Sequence, residues 1–196
     1  MRLGLLGGTF DPIHLGHLRA AENAREALGL DEVLFVPSGT PPHRPGPAAS
    51  GLDRYAMVCL ATAENPRFLP SPLELERQGP SYTVETVEGL RAARPQDALV
   101  LIVGSDAFPE MSGWRCAERL FASCEVAIVE RPGAPGASAD ALEPPFSEAR
   151  GVRRVPGAGL PISASNVRRL AKQGRSIRYL VPDAVAGFVV KRGLYR

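Results

Sequence analysis

Two histidines near the start of the chain have the types and the spacing needed to bind an anion. His14 and His17 follow Gly7 and Gly8, which stand directly after a short apolar run, residues 2–6. Residues three apart at the start of a helix lie on one face, so both imidazoles can face the same bound group. The glycines let the backbone approach a phosphate closely, and a helix N-terminus presents N–H groups to it. The pattern predicts a phosphate-binding loop.

The two common phosphate-binding motifs are absent from this loop. The sequence contains no G-x-x-x-x-G-K-[ST], and residues 4–8 do not spell G-x-G-x-x-G, which disfavours a dehydrogenase that binds a dinucleotide through that fingerprint. A transition-metal site is the other chemistry open to the two histidines. No third nitrogen, sulfur or carboxylate ligand follows them at a matching spacing, so we expect no protein-held metal.

Short apolar runs alternate with amphipathic segments around this loop. We predict strands over residues 2–6, 33–36, 99–103, 126–129 and 152–155, with at best an edge strand within 68–75. We predict helices over residues 15–28, 52–63, 114–121, 165–172 and 183–191, and one more that is capped by Ser81 or Thr83 and ends before Pro95. Such alternation predicts an α/β fold: a Rossmann-like, doubly wound parallel sheet with C-terminal helices, in a single domain spanning residues 1–196.

Composition excludes several classes of protein. The 196 residues include 23 Lys and Arg against 21 Asp and Glu, and a net charge of +2 is too small to suggest a nucleic-acid partner. No apolar run approaches the roughly 18 residues of a membrane span. The cysteines, Cys59, Cys116 and Cys124, are odd in number and form no C-x-x-C pair, as expected of reduced thiols in the cytoplasm. We therefore expect no membrane partner, and a homo-oligomer stays open.

The glycine-histidine loop is the first of several segments that resemble a known family. Residues 7–12 and 14–17 resemble the signature of the nucleotidyltransferase superfamily that carries an H-x-G-H motif. Other segments, in the same order along the chain, resemble one of its members, the bacterial nicotinate-nucleotide adenylyltransferases. They are residues 41–44 (P-P-H-R), 79–83 with Thr86, 104–106 followed by Trp114, 162–168, 179–182 and 193–195.

That resemblance implies transfer of AMP from ATP to the phosphate of nicotinate mononucleotide, which yields deamido-NAD and pyrophosphate. The attacking phosphate is already an anion, so the reaction needs no general base. It needs in-line positioning and neutralisation of charge on the phosphates. Histidine and arginine side chains, with Mg²⁺ entering together with ATP as the implied cofactor, fit this task.

The resemblance also implies a role for individual residues. His14, His17 and Arg168 would be catalytic, with His17 nearest the reacting centre and Arg168 on the β- and γ-phosphates. Arg168 would stand at the start of a helix capped by Ser163 or Ser165. ATP would contact Gly8, Thr9, Phe10, His14, His17, Arg44, Gly104, Asp106, Ser163, Ser165 and Arg168. Nicotinate mononucleotide would contact Arg44, Tyr82, Thr83, Thr86 and Trp114.

The chain departs from the family pattern at a few positions. Arg44 replaces a usual lysine, and Ala164 and Ser165 replace the second serine and the threonine of I-S-S-T-x-I-R. Arg115 stands where a second aromatic residue is common. This leaves open whether stacking on the pyridine ring is looser or the guanidinium favours the ring carboxylate.

The sequence disfavours two other functions. A pantetheine-phosphate adenylyltransferase shares the first motif, but residues 41–44, residues 79–83 and Trp114 favour the nicotinate enzyme. A nucleotide-binding regulatory module without catalysis would be indicated by loss of His17 or Arg168. Both residues are present.

Overall fold

The computed structural model describes residues 1–41, 46–130, 150–155 and 159–196. The strands are β1 (Arg2–Gly8), β2 (Glu32–Pro37), β3 (Phe68–Pro70), β4 (Ala98–Gly104), β5 (Glu125–Val129) and β6 (Val152–Val155). The α-helices are α1 (Leu15–Leu28), α2 (Gly51–Thr62), α3 (Leu73–Glu76), α4 (Thr83–Ala93), α5 (Ala117–Ser123), α6 (Ala164–Lys172) and α7 (Asp183–Arg192), and Phe108–Gly113 forms a 3₁₀-helix.

The six strands form one parallel sheet in the order β3-β2-β1-β4-β5-β6. The chain runs outward from β1 through β2 to β3, then crosses back to pair β4 with the other side of β1. The loops that leave β1 and β4 therefore diverge, and this opens a crevice at the carboxyl ends of these strands. The predicted doubly wound α/β fold is confirmed.

Alternating side chains bury both faces of the sheet. In β1, Leu3 and Leu5 belong to an apolar cluster beneath α4 and α5, whereas Leu6 belongs to one beneath α1, α2, α6 and α7. In β4, Leu101 and Ile102 divide between the same two clusters. Because helices cover both faces, these strands are apolar along nearly their whole length, as in other parallel sheets.

Two short segments near the crevice differ from the sequence-based prediction. The edge strand predicted within residues 68–75 is only three residues long, and the chain then turns into α3. The helix predicted over 114–121 begins later, at Ala117, as α5, and a 3₁₀-helix that the sequence did not predict ends at Gly113, just before Trp114. Each of these elements has at most seven residues, too few to show a hydrophobic period.

The start of α4 is also corrected. Neither Ser81 nor Thr83 caps this helix, because Tyr82 is its N-cap residue and makes no capping side-chain bond. The hydroxyl of Ser81 instead accepts hydrogen bonds from the N–H groups of Gly39 (2.8 Å) and Thr40 (3.3 Å). Ser81 thus joins α4 to the loop that follows β2.

The predicted strand at residues 152–155 is present as β6, on the far edge of the sheet. Within the described ranges, no helix has both the length and the apolar character that crossing a membrane requires.

Candidate active site

Two adjoining cavities lie at the carboxyl ends of β1 and β4. The larger cavity, of about 620 Å³, extends toward the N-terminal ends of α1 and α6. The smaller cavity, of about 280 Å³, extends toward α3 and the start of α4. Gly8, Thr9 and Trp114 border both, so the two cavities form one continuous crevice.

His14 and His17 stand together on the wall of the larger cavity. His14 is the N-cap residue of α1 and only 1% exposed. Its ring stacks on that of His17, with the centroids 3.7 Å apart and the planes 20° from parallel. The predicted convergence of the two rings is what the structure shows.

A backbone hydrogen bond determines which nitrogen of His17 holds the proton. The N–H of His14 donates to Nδ1 of His17 over 3.2 Å. A nitrogen that accepts cannot itself be protonated, so a neutral His17 has its hydrogen on Nε2. The ring of Phe10 meets the ring of His17 edge-on at 5.1 Å and restricts its orientation. A neutral His17 is therefore a hydrogen-bond donor through Nε2.

Arg168 reaches the same cavity from α6. Ser163 is the N-cap of α6, and its hydroxyl accepts from the N–H of Asn166 over 3.2 Å, so of the two predicted caps Ser163 is the one used. Nη1 of Arg168 donates to the carbonyl oxygen of Asp11 (2.6 Å), and Nη2 donates to the hydroxyl of Ser165 (3.4 Å). These bonds hold a guanidinium beside the loop that bears the histidines.

The other residues assigned to ATP lie around this cavity, with one outside the described ranges. Its wall includes Gly8, Thr9, Phe10, Gly104, Asp106, Ser163 and Ser165. Phe10 has a left-handed backbone (φ 49°) and a buried ring, so it faces the cavity mainly through its main chain. Arg44 lies outside the described residues.

The smaller cavity holds most of the residues assigned to the pyridine nucleotide. Tyr82, Thr83 and Trp114 line it. Thr86 is not among its lining residues: this buried hydroxyl donates to Oε1 of Glu74 over 2.6 Å, and Glu74 borders the cavity. The structure therefore places Thr86 one residue behind the wall.

An arginine and an aromatic ring meet at the edge of the smaller cavity. The guanidinium carbon of Arg115 lies 4.4 Å from the centroid of the Tyr82 ring, within the range of a cation–π contact. Arg115 is the one cationic side chain among the described residues that line this cavity. The position of its charge is compatible with an anionic ligand.

The sequence analysis gave no individual role to three further residues that lie at or behind the site. Arg54, Asp11 and Tyr195 are joined by hydrogen bonds to each other or to the loops of the crevice. Asp11 and Tyr195 lie in segments that resemble the family and Arg54 lies in none, but a segment does not reveal these contacts, because the partners are mostly backbone groups or are distant in the chain.

The described residues contain no group of three or more His, Cys, Asp or Glu that could hold a metal ion. The larger cavity is nevertheless bordered by the exposed carboxylates of Asp106 and Glu130. Magnesium is usually held by substrate phosphates, water and one or two carboxylates, so this donor set fits a Mg²⁺ ion that enters with a nucleotide.

Comparison with known proteins identifies relatives over the whole chain. The family model described as cytidylyltransferase-like matches residues 5–170. Along its full length the chain is 48% identical to a Thermus thermophilus protein and 44% identical to a Geobacter metallireducens protein, and it covers 100% and 98% of them. Both are named "Probable nicotinate-nucleotide adenylyltransferase".

A solved structure with a similar fold is that of Plasmodium falciparum nicotinic acid mononucleotide adenylyltransferase complexed with NaAD. The TM-score is 0.83 at 16% sequence identity, over 99% of this chain and 97% of that one. At this identity the likeness concerns the fold.

Proposed function

The chain belongs to the cytidylyltransferase-like family, among the nicotinate-nucleotide adenylyltransferases, and on this premise we propose that it transfers AMP from ATP to nicotinate mononucleotide. The products are deamido-NAD and pyrophosphate. One observation carries the proposal at the level of the site. The stacked histidines and Arg168 border one end of the crevice, Tyr82 and Thr83 border the other, and Trp114 borders both.

The end of the crevice near His17 and Arg168 suits the triphosphate. The α-phosphate gains negative charge in its equatorial oxygens as the acceptor phosphate attacks, and charge develops on the leaving pyrophosphate. A donor on Nε2 of His17 and the guanidinium of Arg168 stabilise this charge in a site already shaped for it. When bound, Mg²⁺ would neutralise further phosphate charge, with Asp106 and Glu130, which also pairs with Arg154 (3.1 Å), as the exposed carboxylates on the cavity wall.

The other end of the crevice suits a flat ring with an acidic substituent. Trp114 offers an indole for stacking, and Arg115 supplies positive charge beside Tyr82. Thr83 opens α4, whose first N–H groups have no partner within the helix and favour an anion. We expect the carboxylate of nicotinate mononucleotide to bind at the start of α4, and the phosphate of the same molecule to point toward the histidines.

We place the reaction in the cytoplasm. Cys59, Cys116 and Cys124 are free thiols, the state expected in a reducing compartment.

The proposal is tested by incubating the protein with Mg²⁺, ATP and one acceptor at a time, and measuring pyrophosphate. Nicotinate mononucleotide should support rapid release and a dinucleotide product. Release with 4′-phosphopantetheine but not with nicotinate mononucleotide would transfer the assignment to another adenylyltransferase. If none of the acceptors leads to pyrophosphate release, a module that only binds nucleotides would be favoured.

A further inference from the structure

Arg54 is a fully buried arginine that binds backbone carbonyls around the crevice. It lies in the first turn of α2 and is 1% exposed. Its Nη1 donates to the carbonyl oxygens of Thr9 (2.8 Å) and Ser38 (2.7 Å). Its Nε donates to Ala49 (3.3 Å) and its Nη2 to Gly39 (3.4 Å). One side chain thus fixes three separate loop segments.

Those carbonyl groups belong to the walls of the site. Thr9 follows β1 and borders both cavities, and Ser38 follows β2 and borders the smaller one. A carbonyl oxygen that faced the cavity would repel a phosphate. By drawing these oxygens inward, Arg54 leaves the surface of the crevice better suited to anions.

Whereas Arg54 binds backbone carbonyl groups, Asp11 binds backbone N–H groups. Its carboxylate is 5% exposed and accepts from the N–H groups of Ala48 (2.7 Å) and Ala49 (3.1 Å), and Ala48 borders the larger cavity. Its own carbonyl oxygen is the acceptor that holds Arg168. Asp11 therefore fixes the wall of the larger cavity and the anchor of a phosphate-binding arginine.

Tyr195, in the segment after α7, completes this arrangement. Its hydroxyl donates to Oδ1 of Asp11 over 2.7 Å. Burial, together with that hydrogen bond, raises the pKa of Tyr195, and this favours the protonated phenol that donates to Asp11. Burial lowers the pKa of Arg54, and the negative charge of Asp11 opposes this effect.

We propose that Arg54 and Asp11 are positioning residues of the adenylyl-transfer site, and that Tyr195 holds Asp11 in place. This inference rests on the proposed function, because the reaction that these residues affect is the adenylyl transfer proposed above. Arg54 positions the walls of both cavities, whereas Asp11 and Tyr195 position the larger cavity alone. A displacement of about 1 Å at a reacting centre can cost about 10²-fold in rate.

The test compares three variants with matched controls by steady-state kinetics, with both substrates varied. Arg54→Lys should raise KM for ATP and for nicotinate mononucleotide and lower kcat, so that kcat/KM falls by about 10²-fold. Asp11→Asn should raise KM for ATP and leave KM for the acceptor within about 2-fold. Tyr195→Phe should also raise KM for ATP without changing KM for the acceptor. The increase should be about 3- to 10-fold, as expected for the loss of one hydrogen bond.

Arg119→Lys and Tyr179→Phe are the controls. Arg119 pairs with Glu88 on the surface, and Tyr179 is 82% exposed, so both variants should match the wild type. The activity of each sample is divided by its folded fraction, which is obtained from its unfolding curve. A lower melting temperature with wild-type KM and kcat for the folded fraction would make these residues merely structural and overturn the proposal.

Binding of MgATP by calorimetry separates this proposal from the proposed function. If the wild type transfers no AMP to nicotinate mononucleotide, the proposed function fails. In that case weaker MgATP binding by Asp11→Asn and Tyr195→Phe still supports positioning. Unchanged binding by both refutes it, whether or not Arg54→Lys folds.

Discussion

The two histidines differ in their surroundings, and this separates their roles. His14 is almost wholly buried under the ring of His17, whereas His17 is half-buried and borders the larger cavity. The N–H of His14 also fixes the proton of His17 on Nε2. His17 is thus the histidine that we expect to contact the group being transferred, with His14 behind it as support.

Removing the imidazole of His17 should therefore lower kcat more than it affects folding. His17→Ala should reduce kcat by roughly 10²- to 10⁴-fold, because its contact strengthens as charge moves to the leaving group. Single-turnover kinetics at saturating substrate, with circular dichroism to establish folding, measure this. Near-normal kcat in a folded variant is incompatible with the assigned role.

Arg168 and its neighbour Arg169 allow a matched comparison on one helix. Arg168 reaches Asp11 and Ser165 in the cavity, whereas Arg169 is exposed and bonds to Asn166. Arg168→Ala should weaken use of ATP by about 1.5–3 kcal/mol, the value of a charge-assisted contact to phosphate. Arg169→Ala should leave it unchanged. Equal kcat/KM for ATP in the two variants would mean that Arg168 is structural.

At the residue scale, sequence reasoning found the groups whose partners are near in the chain or belong to a motif. The pair His14 and His17 follows from spacing alone. Sequence reasoning did not find the contact between Asp11 and Tyr195, which are 184 positions apart and meet only through the fold. Thr86 was assigned to substrate, yet its hydroxyl binds Glu74, because a helical position does not reveal what stands between it and a cavity.

At the scale of elements, the segments that position the site are short loops and single turns. The loop after β2 lies against α3, and a Cβ on Gly39 would collide with the carbonyl oxygen of Glu74. Only glycine allows the two segments this close approach. The helix α1 was predictable from its apolar period, and β1 and β4 from their continuous apolar runs, whereas α3 has four residues and shows neither.

Gly39→Ala should therefore push α3 away from the loop. We expect a loss of about 1–3 kcal/mol in the free energy of unfolding, as for overpacking, and a higher KM for the acceptor because Glu74 borders the smaller cavity. Gly89→Ala is the control, since nothing lies within 4 Å of a Cβ there and α4 should gain up to about 1 kcal/mol. Urea titrations of both variants test this, and similar stabilities would contradict it.

The contact between α2 and α7 should make stability depend on pH. The hydroxyl of Ser50 and then the guanidinium of Arg192 hold the pKa of Asp53 below its usual range. A lowered pKa in the folded state stabilises the protein above the unfolded pKa of about 3.9, and this stability is lost as pH falls through the folded pKa.

The variant Asp53→Asn should thus be less stable than the wild type at pH 7, and the difference should shrink as pH falls below about 4. Denaturant titrations at several pH values measure it. Glu64→Gln, which changes an exposed carboxylate, should show a smaller dependence. A constant difference between Asp53→Asn and wild type from pH 7 to 3 would refute the electrostatic link.

At the scale of the whole molecule, the order of the strands creates the site. Pairing of β1 with β2 on one side and β4 on the other opens the crevice. The parallel sheet itself follows from alternating strands and helices in the sequence. The strand order depends on which distant edges meet, and local patterns do not contain that information. The same order brings α6, far along the chain, to the histidine loop.

Adenylyl transfer to an acceptor with an acidic ring requires the enzyme to distinguish a carboxylate from a carboxamide, and steady-state kinetics can measure this. The measurement is the ratio of kcat/KM for nicotinate mononucleotide to that for its nicotinamide analogue, at fixed ATP and Mg²⁺. A carboxamide would direct its NH₂ at the N–H groups that begin α4, at a cost of about 1–3 kcal/mol. It would also lack the negative charge that the guanidinium of Arg115 attracts. We predict a preference for the acid of roughly 10²-fold or more, reduced in Arg115→Ala if the guanidinium contributes. Equal values for the two acceptors in the wild type would contradict the account.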